Sequence, residues 1–159
     1  MRQYCFRDTD ASGDAEYDII ADEYEVLLNI CVTYCKYLTI RICCNDIVLP
    51  ARMLAHQTEL LPEMKTKYAH YGDANGRIIA FRVYPEIVTD MIGVASSVFS
   101  WTSGWGLHNP DDPAFFREDG SAFFYSVVHE GKCVIEQKAG EDIGAIIHDR
   151  RWQESSSAV

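Results

Sequence analysis

From residue 22 to residue 38 apolar side chains return every three or four positions: Tyr24, Leu27, Leu28, Cys31, Tyr34, Cys35 and Leu38. That spacing lines them along one side of an α-helix. The same stretch also alternates, with Val26, Leu28, Ile30, Val32 and Tyr34 set against Glu25, Asn29 and Thr33. Length decides between the two, because a strand of ~18 residues lies far outside the usual ~5–6. The pattern therefore predicts a helix over about 22–36. A strand over 37–43 follows, where β-branched residues alternate cleanly in Tyr37-Leu38-Thr39-Ile40-Arg41-Ile42-Cys43.

Pro50 suits the first turn of a second helix, where its missing N–H is not needed. Leu49, Met53, Leu54, Leu60 and Leu61 supply its apolar positions, and Pro62 ends or kinks it. An extra strand near 66–70 is allowed by the pattern. Asn75-Gly76 is a turn signal and leads into the strand 77–84. Pro85 opens a third helix over about 86–100, with Val88, Met91, Ile92, Ala95, Val98 and Phe99 facing inward. Residues 101–113 read as a loop rich in Trp, Gly and Pro. Strands over 114–117, 122–129 and 132–136 form a meander, turned at Asp119-Gly120 and Glu130-Gly131, and a short helix begins at Asp142.

Tight hairpins in the second half point to an α+β domain. Its sheet is expected to be single and mainly antiparallel, of about five to six strands, with helices packed on one face. A doubly wound dinucleotide fold would need strict alternation and a glycine fingerprint after the first strand, and has neither here. The expected organisation is an acidic, flexible segment over 1–18, one domain over 19–152 and a disordered tail over 153–159. With 159 residues the chain is one domain long and able to bury its own core without a staple.

Charge narrows the function. The chain has 14 Lys plus Arg against 24 Asp plus Glu, a net −10. Nucleic-acid binding needs a basic footprint, so that class is disfavoured. Residues 1–25 carry Asp8, Asp10, Asp14, Glu16, Asp18, Asp22, Glu23 and Glu25 against Arg2 and Arg7. This is either a solvated segment or a patch that steers a basic partner. No apolar run is long enough to span a membrane, and residues 1–8 show no secretory h-region. The six cysteines form no C-x-x-C pair and are expected to be reduced thiols in a cytosol.

Candidate chemistry is sparse. Asp8-Thr9-Asp10-Ala11-Ser12-Gly13-Asp14 carries the first half of a calcium loop, but Ile19 stands where a bidentate Glu is required. Cys133 and His129 fit no zinc spacing, and no metal or cofactor is assigned. G-x-S-x-G, H-E-x-x-H, P-loop and G-x-G-x-x-G motifs are all missing. An enzyme reading would rest on His129, Cys133 or His108 with an acidic partner. The most unusual stretch is Trp101 to Pro110. There Trp101 and Trp105 either seal the core edge or anchor a partner. The candidate partner-binding set is Trp101, Trp105, Asp111, Asp112, Glu118 and Asp119, aromatic at the centre and acidic at the rim.

The stretch Phe116-Arg117-Glu118-Asp119-Gly120-Ser121-Ala122-Phe123-Phe124-Tyr125-Ser126-Val127-Val128-His129-Glu130 resembles a segment of small acidic bacterial proteins of the toxin-immunity type. The resemblance covers about a tenth of the chain. It implies a small cytosolic α+β protein and carries no catalytic residues over. The expected function is thus a non-catalytic, immunity-type or inhibitory protein that binds a protein partner, such as a basic toxin. The alternatives are a small enzyme with a His/Cys/carboxylate pocket and a phage-type inhibitor of a host defence system.

Overall fold

The computed structural model describes residues 1–8, 17–44, 46–65, 76–102, 108–148 and 151–155. Its elements in chain order are β1 (Arg2–Arg7), α1 (Ala21–Tyr34), β2 (Tyr37–Ile42), α2 (Ala51–Ala55), β3 (Gln57–Thr58), α3 (Pro62–Lys65), β4 (Arg77–Arg82), α4 (Ile87–Val94), β5 (Asp111–Phe116), β6 (Ala122–Val127), β7 (Lys132–Gln137), α5 (Gly144–Ile147) and β8 (Trp152–Ser155). The strands form one sheet in the order β3-β4-β2-β5-β6-β7-β1-β8, and every ladder is antiparallel. The expected α+β class with a single antiparallel sheet is the observed one, but among the described residues the sheet has eight strands rather than five to six.

Two of the three additional strands, β1 and β8, come from segments expected to be mostly irregular, and the third, β3, from the expected second helix. Residues 2–7, assigned above to a flexible acidic segment, form β1, paired with β7 on one side and β8 on the other. Tyr4 and Phe6 alternate with Gln3 and Cys5, and the two aromatic rings are buried. Residues 153–155, expected in the disordered tail, continue from Trp152 as a short edge strand. It is held by the Trp152 ring, 5.4 Å from that of Phe6. The second helix, expected to run on to Pro62, is broken into α2, the two-residue β3 and α3. The third helix stops at Val94, where Ala95 turns extended and its N–H closes on Met91. The strand expected over 66–70 and the Asn75 half of the turn lie outside the described residues, as does the calcium-loop stretch 9–16.

Two bulges shape the centre of the sheet. Thr39 faces Ala114 and Arg41 faces Asp111, so Asp112 and Pro113 together oppose Ile40. A bulge is where a strand tolerates proline, which is how β5 starts at Asp111 instead of 114. Phe115 faces Phe124 and Phe116 faces Ala122, leaving Phe123 as the extra residue. Consecutive Phe123 and Phe124 therefore enter the same cluster. The β5–β6 connection closes as a loop over Glu118–Gly120, with Gly120 at φ +76° and bonds between Arg117 and Ser121, rather than as a two-residue turn. Only glycine takes that backbone geometry without strain.

Successive strand residues point to opposite faces, and the core divides accordingly. The larger cluster joins Tyr24, Leu27, Leu28 and Cys31 of α1, Met91 of α4 and Ile146 of α5 to Phe6, Leu38, Ile40, Phe81, Phe115 and Ile135. The α1 residues are the i, i+3, i+4, i+7 stripe of the sequence. The smaller cluster holds the alternate strand residues Tyr37, Ala114, Phe116 and Ala122, with Met64 of α3.

All six cysteines are thiols, none joined in a disulfide. Cys31, Cys35 and Cys133 are buried, and Cys5, Cys43 and Cys44 are partly exposed. Burial pushes the three inner thiols well above the ordinary range. A thiol reagent is therefore expected to label Cys5, Cys43 and Cys44 in the native protein and to reach all six only on unfolding. Recovery of fewer than six thiols from unfolded, unreduced protein would contradict this arrangement.

Candidate functional site

Of the six residues expected to form one partner surface, the five that are described do not come together. Trp101 is fully buried and its Nε1–H donates to the Tyr24 hydroxyl at 2.7 Å. The indole thus belongs to the core, because an apolar ring with one polar atom is satisfied by a single buried partner. Asp112 is 2 % exposed; its carboxylate accepts the Val128 N–H at 2.8 Å and lies 3.9 Å from the Arg41 guanidinium. Its φ of +51° belongs to the bulge. Asp111 and Asp112 sit at the start of β5, whereas Glu118 and Asp119 sit beyond its other end, roughly 20 Å of extended chain away. Asp119 is exposed and paired with Lys138 at 2.6 Å. Hydrogen bonds from Lys138 and Ser121 hold its carboxyl far below the usual range. Trp105 lies outside the described residues.

Cys133 and His129, two of the residues an enzyme reading would use, are also separated. Cys133 is fully buried on β7, while His129 is exposed in the 3-10 turn Val128–Glu130 and lies 3.8 Å from Glu130. His108, in contrast, meets groups that no sequence spacing connects to it. Its Nδ1 is 3.4 Å from an Asp46 carboxylate oxygen, and together with the Cys44 sulfur these ligand atoms lie within 4.8 Å of one another. Cys43, next in the chain, donates its thiol to Asp111 at 2.7 Å. The hydrogen bond to Asp46 and the Asp111 charge hold the Cys44 thiol protonated, the reverse of what a thiolate nucleophile needs. Beside this cluster Arg41, Thr102, Asp111, Asp112, Val128 and His129 line a polar hollow of about 180 Å³. The signal missed in the sequence is a matter of topology. Asp46 and His108 are far apart in the chain, and the pairing of β2 with β5 brings their flanking loops together.

A second concavity has a different character. Phe6, Ile19, Val26, Ile146 and Trp152 floor a half-open groove of about 200 Å³ between α1, α5 and β8, with Asp22 and Glu23 on its lip. Arg151 closes one side through a bidentate pair with Glu23 at 2.8 and 2.9 Å. Asp22, Glu23 and Glu25 are all exposed on α1, so the groove opens beside the acidic end of that helix. Its volume is below the ~300–1,000 Å³ of small-molecule pockets and matches one large side chain.

The chain matches no protein-family model, no curated protein and no solved structure among those compared. No helix among the described residues is long and apolar enough to cross a membrane. The class defined by the fold is an α+β protein built on one antiparallel sheet, and its functional reading rests on the two concavities.

Proposed function

We propose that this is a non-catalytic binding protein of the immunity or inhibitor type. In this reading it takes one large apolar side chain of a basic protein partner into the groove between α1 and α5. With α1, α4 and α5 as a layer on one sheet face, that groove is where the layer opens. The observation that carries the reading is an apolar floor of the volume of one side chain, under an acidic lip, on a chain of net charge −10. An anchor buried in such a pocket supplies most of the affinity of an interface. The surrounding carboxylates speed the encounter with a basic partner, as the charge on the resembled immunity-type proteins would. This groove takes the place of the surface expected from Trp101, Trp105, Asp111, Asp112, Glu118 and Asp119, whose described members are dispersed.

The test begins with affinity capture from cells that make the protein, followed by binding measurements with the purified partner. Val26 is 38 % exposed on the groove wall, so Val26→Arg fills the cavity without touching the core. It is expected to cost about 2 kcal/mol or more of binding and to leave the melting temperature nearly unchanged. Asp22→Asn is expected to slow association and flatten its salt dependence. A partner that binds Val26→Arg as tightly as the wild type defeats this reading.

A further inference from the structure

We propose that Cys44, Asp46 and His108 form a surface site for one zinc ion, with the fourth coordination position open to water. The site lies apart from the groove and does not depend on the binding reading.

Three donors of different chemistry meet from two loops, the one after β2 and the one before β5. Their ligand atoms all fall within 4.8 Å of one another, and the Asp46 oxygen and the His108 Nδ1 are 3.4 Å apart. Oxygen and nitrogen ligands held about 2.0–2.1 Å from a tetrahedral ion stand about 3.3–3.4 Å apart, so that pair already has zinc spacing. A thiolate at about 2.3 Å would sit about 3.5 Å from either, which asks for a side-chain adjustment of an ångström or so. Both Asp46 and His108 are exposed, at 64 % and 69 % of their side chains, so either can turn toward the partly exposed Cys44 sulfur.

The donor set selects the metal. One thiolate, one imidazole and one carboxylate suit a borderline-soft ion such as zinc, whereas calcium and magnesium take oxygen ligands alone. The local charge favours a cation as well, since Asp111, held by the thiol of the adjoining Cys43, adds a second carboxylate to this loop pair. On binding, the Zn–S bond replaces the Cys44 S–H bond and the proton leaves to solvent. Three protein ligands with one water are the arrangement of open rather than closed zinc sites. The ion would also tie the two loops together at the rim of the polar hollow.

The experiment uses the whole protein, reduced by a non-coordinating phosphine, with Zn²⁺ added against a chromophoric chelator. Co²⁺ serves as a spectroscopic stand-in. One equivalent of Co²⁺ is expected to give a thiolate charge-transfer band and the visible absorption of a tetrahedral ion. Zinc at about 100 times its dissociation constant is expected to raise the melting temperature by roughly 5–10 °C. Cys44→Ser, Asp46→Asn and His108→Ala should each weaken zinc binding roughly tenfold or more. Cys43→Ser and His148→Ala should leave it within a few-fold. Because the three ligands are surface groups, the variants are expected to fold, and circular dichroism of the metal-free forms checks this. Binding that survives Cys44→Ser together with His108→Ala, a cobalt spectrum without the thiolate band, or no zinc binding by the wild type would each overturn the proposal.

Discussion

Trp101→Ala is expected to destabilise the protein by about 3–5 kcal/mol, the usual cost of truncating a buried aromatic side chain. The ring is fully buried and its Nε1–H is the hydrogen-bond donor to Tyr24. Truncation therefore removes apolar burial and also leaves the Tyr24 hydroxyl, itself buried, without that donor. Burial pushes the Tyr24 phenol up, and the bond from Trp101 acts in the opposite direction. Chemical denaturation should show a lower midpoint with an unchanged slope. Trp101→Phe, which keeps most of the volume and loses only the hydrogen bond, should cost about 1–3 kcal/mol. A Trp101→Ala variant as stable as the wild type, with impaired partner binding, would return the ring to the surface role first expected of it.

The second large effect belongs to Arg117, which the sequence offers only as a polar residue before a turn. The residue is 7 % exposed, and its guanidinium carbon lies 5.2 Å from the Phe123 ring centre. It bonds Glu141 through both carboxylate oxygens, at 2.5 and 2.7 Å, and reaches the carbonyls of Ala122 and Glu136. One side chain thus clamps the β5–β6 loop to the segment after β7. Arg117→Ala leaves a largely buried carboxylate unpaired and is expected to cost about 3 kcal/mol, the low end of the range for breaking such a pair. The low end applies because the Lys138 N–H still serves Glu141 at 2.6 Å. Burial by itself would raise the Glu141 carboxyl, but the bonds from Arg117 and Lys138 hold it below its ordinary value. Its stabilisation is then full above the usual carboxylate range and is lost as pH falls through the depressed value. The stability of Arg117→Ala should fall less steeply with acid than that of the wild type over that interval. Replacing both partners, Arg117→Met with Glu141→Leu, should recover much of the loss. A double variant no better than Arg117→Ala would show that the clamp acts through its carbonyl contacts instead.

The elements legible in the sequence are those whose own pattern is strong and long. The α1 stripe, the alternation in β2 and the apolar runs of β4, β6 and β7 beside turn residues needed no tertiary information. β1 carries a readable alternation in Tyr4 and Phe6, but it is six residues long and followed by the densest run of acids in the chain, which drew the reading toward disorder. β8 offers one buried residue, Trp152, and its pairing depends on β1. Trp101 looked like a surface anchor because glycine and proline around it signal a loop, and a loop pattern does not tell which of its side chains turns inward. The Asp112-Pro113 pair read as loop because a proline argues against a strand, and only the bulge opposite Ile40 reconciles the two. The Cys44, Asp46 and His108 cluster left no local trace at all, since a side-chain cluster across two loops is a product of strand order and not of spacing.

Strand order also sets a timetable for synthesis. β1 finds its neighbours about 130 residues downstream, Arg2 opposite Gln137 and Phe6 opposite Cys133. On a ribosome adding about 5–20 residues per second, that interval lasts roughly 7–26 s. Throughout it the Tyr4 and Phe6 side chains have no β7 to lie against. Residues 37–127 can meanwhile assemble the β4-β2-β5-β6 half of the sheet, whose ladders join strands closer in the sequence. The nascent chain thus carries the two aromatic side chains of residues 2–7 without their β7 partner for that whole interval. That exposure is the circumstance in which a holdase chaperone would engage this protein, at residues 2–7 rather than at its centre.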